Sequence, residues 1–501
     1  MAVIIRNSKT FNFIVQIFVI LIIAHLTITT YSFSNTTIQI IGIILVTILF
    51  VNFTILKKKY FEFIIMMFAC SHFITFMPGA GGLFNIISFF LLFFFFSKFN
   101  KNSNFNSNKT LILLLGILIF FSVLGWGFKS PVPNDQLILG IISFFGYILM
   151  VFFSSKYEIT KSRLKLFLDA TCIFSIYNLL VSLNTLFKIV VINSPLIITS
   201  MFRVGLSDHL FQGGVFSSSE ISGEYGLLSF ILLLPFFLVT NRKYFININT
   251  NKFLVLGGII ASLLNALLSF SKAIFVLTII ASILGLLFQY FLNLKSAFRP
   301  IKVIKISLYI IAILLLLKPI IPFDFIFQRF NDSPELVDNF LAHPLTGEGT
   351  SRETGYTTGL NRIKSNNWLI GYGWSVGSGN RLAWFGSLTG LAEQRMDHHN
   401  IYYSLIPIFG WIGTLAIVLI ILNTIYRLFF SVLSIKRTSH RLLPLAIGLM
   451  FLLIFFLVDE WKINATRNPN YFMMLWIWIG ISNSVVKTIK KDIIRKKKYY
   501  T

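Results

Sequence analysis

The sequence predicts an all-α polytopic membrane protein with about fourteen transmembrane helices, both termini in the cytoplasm, and one large loop on the opposite face between helices 11 and 12. Three observations predict it. Composition comes first: 56% of the 501 residues are hydrophobic and only 12% are charged, with 56 Phe, far from the usage of water-soluble domains. The second is a recurrence of apolar runs long enough to cross a bilayer. The third is a regular alternation of basic and nearly neutral loops between those runs.

In chain order the apolar runs lie at 10–32, 37–56, 61–77, 83–97, 110–128, 137–155, 166–187, 226–240, 253–270, 273–293, 306–322, 401–426, 442–458 and 471–486. A helix of about 20 apolar residues covers the roughly 30 Å of hydrocarbon in a bilayer. The first run follows Arg6 and Lys9, as a signal peptide would. It is too long for one, and no small-residue cleavage site follows, so it reads as a retained helix. The run from Phe89 to Phe96, FFLLFFFF, would promote aggregation in water but is ordinary lipid-facing surface in a span. Cys70 and Cys172 sit inside apolar runs and read as packing residues, not as a disulfide, a redox pair or a zinc site.

Basic residues mark every second loop: Lys57 to Lys59; Lys98, Lys101 and Lys109; Lys156 to Lys165; Arg242, Lys243 and Lys252; Lys295 to Lys305; Lys436, Arg437 and Arg441; Lys487 to Lys498. One missed span would break this alternation, which is the pattern of positive charge retained on the cytoplasmic side. A net charge of +25 would ordinarily raise nucleic acid as a partner. Here 30 of the 43 Lys and Arg, against 4 of the 18 Asp and Glu, fall on the basic side, so the excess is a topology signal. Nucleic acid is not an expected partner.

Two loops on the neutral face are long for connectors, 188–225 and 323–400, and in the second apolar residues give way to Gly, Ser, Thr and charges. The expected organisation is helices 1 to 7 in 1–187, a loop with helices 8 to 11 in 188–322, the large loop in 323–400, and helices 12 to 14 with a basic tail in 401–501. Acids within the spans are scarce. No span carries the Asp, Glu and His chain of a proton-coupled pump, and no pair of broken inverted-repeat helices of the transporter kind is present.

The most specific stretch runs from His399 to Gly413, HNIYYSLIPIFGWIG, where the large loop enters span twelve. It puts an imidazole at the membrane boundary, then an amphipathic entry turn, then Gly410 and Gly413 on one helix face, where they would allow close helix approach. On the residues alone, an interfacial aromatic belt with an incidental His accounts for the stretch equally well.

The spacing, His-Asn followed after nine residues by Gly-x-x-Gly, resembles the signature of the bacterial O-antigen ligase and O-antigen polymerase superfamily, with His399, Asn400, Gly410 and Gly413 in register. Upstream, Ser351-Arg352 followed by LIGYG, which ends in Gly371-Tyr372-Gly373, looks like that family's loop Arg and Gly-x-Gly turn. Ser269-Phe270-Ser271-Lys272 is similar to its Ser-x-Ser-Arg element, with Lys in place of Arg. Arg203-Val204-Gly205, before Glu220, resembles its stretch ahead of the central helices. The resemblance covers roughly residues 200–485. A second pattern, Arg followed after ten residues by Gly in each of two outer loops, is met by Arg203 with Gly214 and by Arg362 with Gly373, and tilts the resemblance toward polymerase. His343 to Gly349, HPLTGEG, mimics the Gly-x-Gly arrangement but lies farther from His399.

The resemblance implies a GT-C-like, inverting glycosyltransferase at the periplasmic face of the bacterial inner membrane. Its donor and acceptor are glycans on undecaprenyl pyrophosphate; a chain-length regulator and a flippase of the same pathway are the expected protein partners. The residue types suit that chemistry. A permanently charged, planar guanidinium stabilises the pyrophosphate leaving group through paired hydrogen bonds, a role assigned first to Arg352, with Arg203, Lys272 and Arg362 in support. An imidazole that titrates near neutral pH can take the proton of the attacking sugar hydroxyl, a role assigned to His399, with His398 beside it as the alternative base. Asn400, Glu220 and Glu224 are the remaining substrate-binding candidates, and for the two acids a structural ion pair is an equal alternative. Arg381 and Arg395 read as solvated loop charges. Asp397-His398-His399 is not a metal site, because three consecutive side chains do not converge on one ion, so no cofactor and no metal are expected. A ligase that passes the finished glycan to lipid A core sugars is the second reading. A glycan flippase or transporter is the third, carried by topology alone.

Overall fold

The structure, a computed structural model, describes residues 108–128, 134–187, 219–238, 242–269, 272–291, 401–436, 440–462 and 469–500, with 357, 360, 361, 363, 364, 369–371 and 373 of the large loop. Among these residues the chain is all-α. In order, the helices are α1 (Lys109–Phe128), α2 (Asn134–Lys156), α3 (Lys161–Phe187), α4 (Ser219–Leu238), α5 (Arg242–Ile248), α6 (Lys252–Leu268), α7 (Lys272–Phe291), α8 (Ile401–Ile435), α9 (Leu443–Lys462) and α10 (Pro469–Tyr500). Every apolar run of the sequence from 110 onward falls on one of these helices, except 306–322, which lies outside the described residues, as do the four runs before residue 100. Two helices, α1 and α8, are long and apolar enough to cross a bilayer.

Helix lengths depart from the apolar runs in an instructive way. Lys, Arg and Glu are good helix formers, so a helix nucleated in an apolar run propagates into its charged flanks until a cap stops it. Thus α3 begins at Lys161, where Lys165 pairs with Asp169 one turn on, and α10 continues through the basic tail. The start of α4 at Ser219 means that Glu220 and Glu224 belong to a helix, not to the loop expected over 188–225. The short α5 has no apolar run behind it. It ends because Asn249 adopts φ 57°, the left-handed conformation that closes a helix, and Asn251 then caps α6 by accepting the Phe253 amide at 2.9 Å.

The described residues pack as two units, one within Tyr157–Ile279 and the other within Asn85–Lys156 and Ile280–Thr501. In the first, α6 is central and its small residues let two helices approach to backbone contact. A Cβ on Gly258 would lie 2.6 Å from Cys172 Sγ of α3, and one on Gly226 of α4 would lie 2.6 Å from the Ala266 nitrogen of α6. Ser262 Oγ donates to Ser175 Oγ at 3.0 Å, and Asn265 Nδ2 donates to the Ser175 carbonyl at 2.9 Å. Small-residue faces sealed by polar side chains are how helices associate where lipid removes the hydrophobic drive.

In the second unit α8 packs against α1, α9 and α10, while α2 lies along α10. Buried positions on α8 include Gly413, Ile417, Ile420, Thr424 and Leu428. Trp411, Leu415, Leu419, Leu422, Tyr426 and Phe430 form an exposed apolar stripe at helical spacing. An exposed stripe of this kind is costly in water and is what a helix shows to lipid. At one end of the unit Asn108 Nδ2 and Arg427 Nη1 both donate to Asn483 Oδ1, and Arg441 and His440 pair with Asp492 at 3.3 Å. At the other end Tyr402 Oη donates to the Leu457 carbonyl at 3.0 Å. Each of these contacts joins positions that the alternating loop charge assigns to the same face.

Candidate active site

Pro407 lacks the N–H that an intact helix would use, and three residues later Gly410 takes φ 70° and ψ 175°, so α8 is broken near its head. A break leaves backbone groups that need partners. The Ile408 carbonyl at the break accepts the Gly373 amide at 2.8 Å, so the large loop is hydrogen-bonded to α8 at Gly373. The approach is close enough to exclude side chains. A Cβ on Gly371 would overlap the Ile408 carbonyl and lie 2.6 Å from the Gly410 nitrogen, and one on Gly410 would overlap the Leu369 carbonyl. Gly373 has φ 84°, and a Cβ there would run into the ring of Trp126 at the end of α1.

The structure therefore brings together Gly371, Gly373 and Gly410, whose two motifs are far apart in the chain. It also changes the expected role of the Gly-x-x-Gly pair. Gly410 breaks its helix and admits a crossing loop, instead of offering a smooth face to a neighbouring helix. A Cβ on Gly413, inside the resumed helix, would lie 2.8 Å from the Phe409 Cβ of its own helix, and it would meet Leu118 of α1 only at an ordinary 3.7 Å. His399 and Asn400 immediately precede Ile401, the first residue of α8, and lie outside the described residues together with His398, Arg203, Arg352 and Arg362. His343 and Gly349 also lie outside them.

In the first unit, Gly223 on α4 meets Ser269 at the end of α6 and Ile274 on α7 at distances that leave no room for a Cβ. This holds the first turns of α4, with Glu220, against the α6–α7 corner, where Lys272 opens α7. Glu224 is fully buried there, and Tyr225 beside it stacks edge-on with Phe174 at 4.7 Å. The helix ends that carry Glu220, Glu224 and Lys272 thus meet at one corner of one unit.

Two further residues were not singled out from sequence. Trp126 reads as one more interfacial aromatic until Gly373 is seen against it. Asp459 sits two residues beyond the Leu457 carbonyl that holds Tyr402 of α8, and it is fully buried. A buried carboxylate beside the head of α8 is a candidate partner for a cationic group of the site. Its signal in the sequence was an acid at the very end of an apolar run, which the loop reading absorbed.

No protein-family model matches the chain, and no curated protein does either.

Proposed function

We propose that this protein is an O-antigen polymerase, an inverting, metal-independent glycosyltransferase with about fourteen spans in the bacterial inner membrane. It joins oligosaccharide repeat units carried on undecaprenyl pyrophosphate at the periplasmic face. The observation that carries this reading is the crossing of the two motifs. Gly371 and Gly373 meet Gly410 through a backbone hydrogen bond and contacts that tolerate no side chain. Contacts that close are what one shared site requires, and they favour the Gly371-Tyr372-Gly373 turn over HPLTGEG as the partner of the His399 motif. Pairing of helix ends on the faces assigned by charge supports the alternating topology behind the reading.

In this mechanism Arg352, with Arg203, Lys272 and Arg362, neutralises the departing pyrophosphate. His399 accepts the proton of the sugar hydroxyl that attacks the anomeric carbon from the opposite face, which inverts that carbon. Lipopolysaccharide from a strain lacking the protein tests the assignment. Core bearing a single repeat unit is expected; core with no repeat identifies a ligase, and an unchanged ladder excludes both. Purified protein should also work in the presence of a chelator. Activity lost to chelation and restored by a divalent ion contradicts the metal-independent mechanism.

A further inference from the structure

The contact between the large loop and α8 has a third party. Trp126 closes α1 and is almost buried, at 8% exposure. Its ring stands where a Gly373 side chain would be, so the Gly371–Gly373 segment is held between the broken α8 and the indole. The indole is itself fixed: Phe144 of α2 meets it edge-on at 5.5 Å and Phe145 lies at 6.2 Å. Phe144 stacks in turn on Phe409 at 5.7 Å, the residue between the Ile408 carbonyl and Gly410. Both phenylalanines of that stack, Phe144 and Phe409, are fully buried. Trp126, Phe144 and Phe409 therefore run from α1 through α2 to the break in α8, and Gly373 rests against the Trp126 end of that run.

We propose that Trp126 is a positioning residue: its ring is the wall against which the Gly371–Gly373 part of the large loop is pressed onto the α8 break, fixing that part in register with the head of α8. This deepens the transferase reading and rests on it for its consequence, because His399 lies two residues before α8 and Arg352 lies upstream of Gly371–Gly373 in the same large loop. Trp126 touches neither reacting group in this scheme. It acts by holding the two chain segments that carry them, and a misplacement of about 1 Å between such groups is enough to cost about a hundredfold in rate.

The test uses the full-length protein in detergent or liposomes, as wild type, Trp126→Ala, Trp126→Phe and Gly373→Ala. Hydrogen exchange reads the contact directly, because the Gly373 amide is the donor to Ile408. Trp126→Ala and Gly373→Ala should raise exchange of the Gly371–Gly373 segment by about tenfold or more while the later turns of α8 keep their protection. Trp126→Phe, which keeps an aromatic wall, should stay close to wild type, and Gly373→Ala, whose Cβ meets the same ring, carries the test if Trp126→Ala does not accumulate. With lipid-linked repeat units as substrate, Trp126→Ala should lower kcat by about a hundredfold and leave KM nearly unchanged. Unchanged exchange in Trp126→Ala overturns the proposal, as does loosened exchange with full kcat. Wild-type protein that elongates nothing, yet shows the expected exchange pattern, overturns the transferase reading and the kinetic claim with it while leaving the structural contact intact.

Discussion

A methyl group at Gly410 would meet the Leu369 carbonyl and would also have to adopt a positive φ that side chains avoid at a cost of roughly 1–2 kcal/mol. Backbone cannot rotate aside as a side chain can, so Gly410→Ala and Gly371→Ala should each lower the thermal midpoint in detergent and abolish activity. Gly116 of α1 is the control, since nothing lies within 4 Å of a Cβ there. Gly116→Ala should be neutral or stabilising by about 0.5–1 kcal/mol, because it only removes backbone freedom from a helix. Equal losses at Gly116 and Gly410 would show that the crossing has no special status. His399→Ala and Arg352→Ala are expected to accumulate normally and lose transfer activity, read from the lipopolysaccharide ladder and a membrane blot. The identity of the motif residues was legible in the sequence, but the way Gly410 acts was not. Periodicity treats a Gly in an apolar run as part of a helix, and the break shows in the φ and ψ of Gly410 and in the pairing of the Ile408 carbonyl with a distant amide.

Helices were the most legible part of this protein. Hydropathy found each membrane-length apolar helix in the described residues, because lipid requires every backbone group to be satisfied within its own segment. What hydropathy missed were charged extensions such as the first turns of α4, where Glu224 becomes a buried helical residue, and the seven-residue α5, which is set by a left-handed Asn249. Both are local backbone effects that an average over a long window erases. The same logic yields a prediction for α8. Leu415, on the exposed stripe, is 56% exposed to the surroundings of the protein. Leu415→Arg should cost roughly 2.5–3.5 kcal/mol of insertion free energy and sharply reduce membrane accumulation, whereas Leu415→Ile should be silent. Tolerance of Arg would mean that the stripe faces water. On α4, where it meets α6, the opposite kind of surface predicts the opposite tolerance. Gly226→Val would drive a branched side chain into the Ala266 backbone, and should cost at least the 1–3 kcal/mol or so of ordinary overpacking.

At the scale of the whole molecule, the charge distribution makes the widest claim. If the basic loops are cytoplasmic, an impermeant thiol reagent applied to intact cells, with the outer membrane opened, should label Val132→Cys in a neutral loop. It should spare Glu158→Cys in a basic loop until the inner membrane is broken, in a background without Cys70 and Cys172. The reverse pattern would invert every sidedness assignment, His399 and Arg352 included. The measurement that bears most directly on the central claim is turnover by the purified protein in liposomes supplied with undecaprenyl-pyrophosphate-linked repeat units. The account predicts a ladder of elongated lipid-linked products from wild type and none from His399→Ala. Failure of a folded wild-type protein to elongate, or a full ladder from His399→Ala, would contradict it.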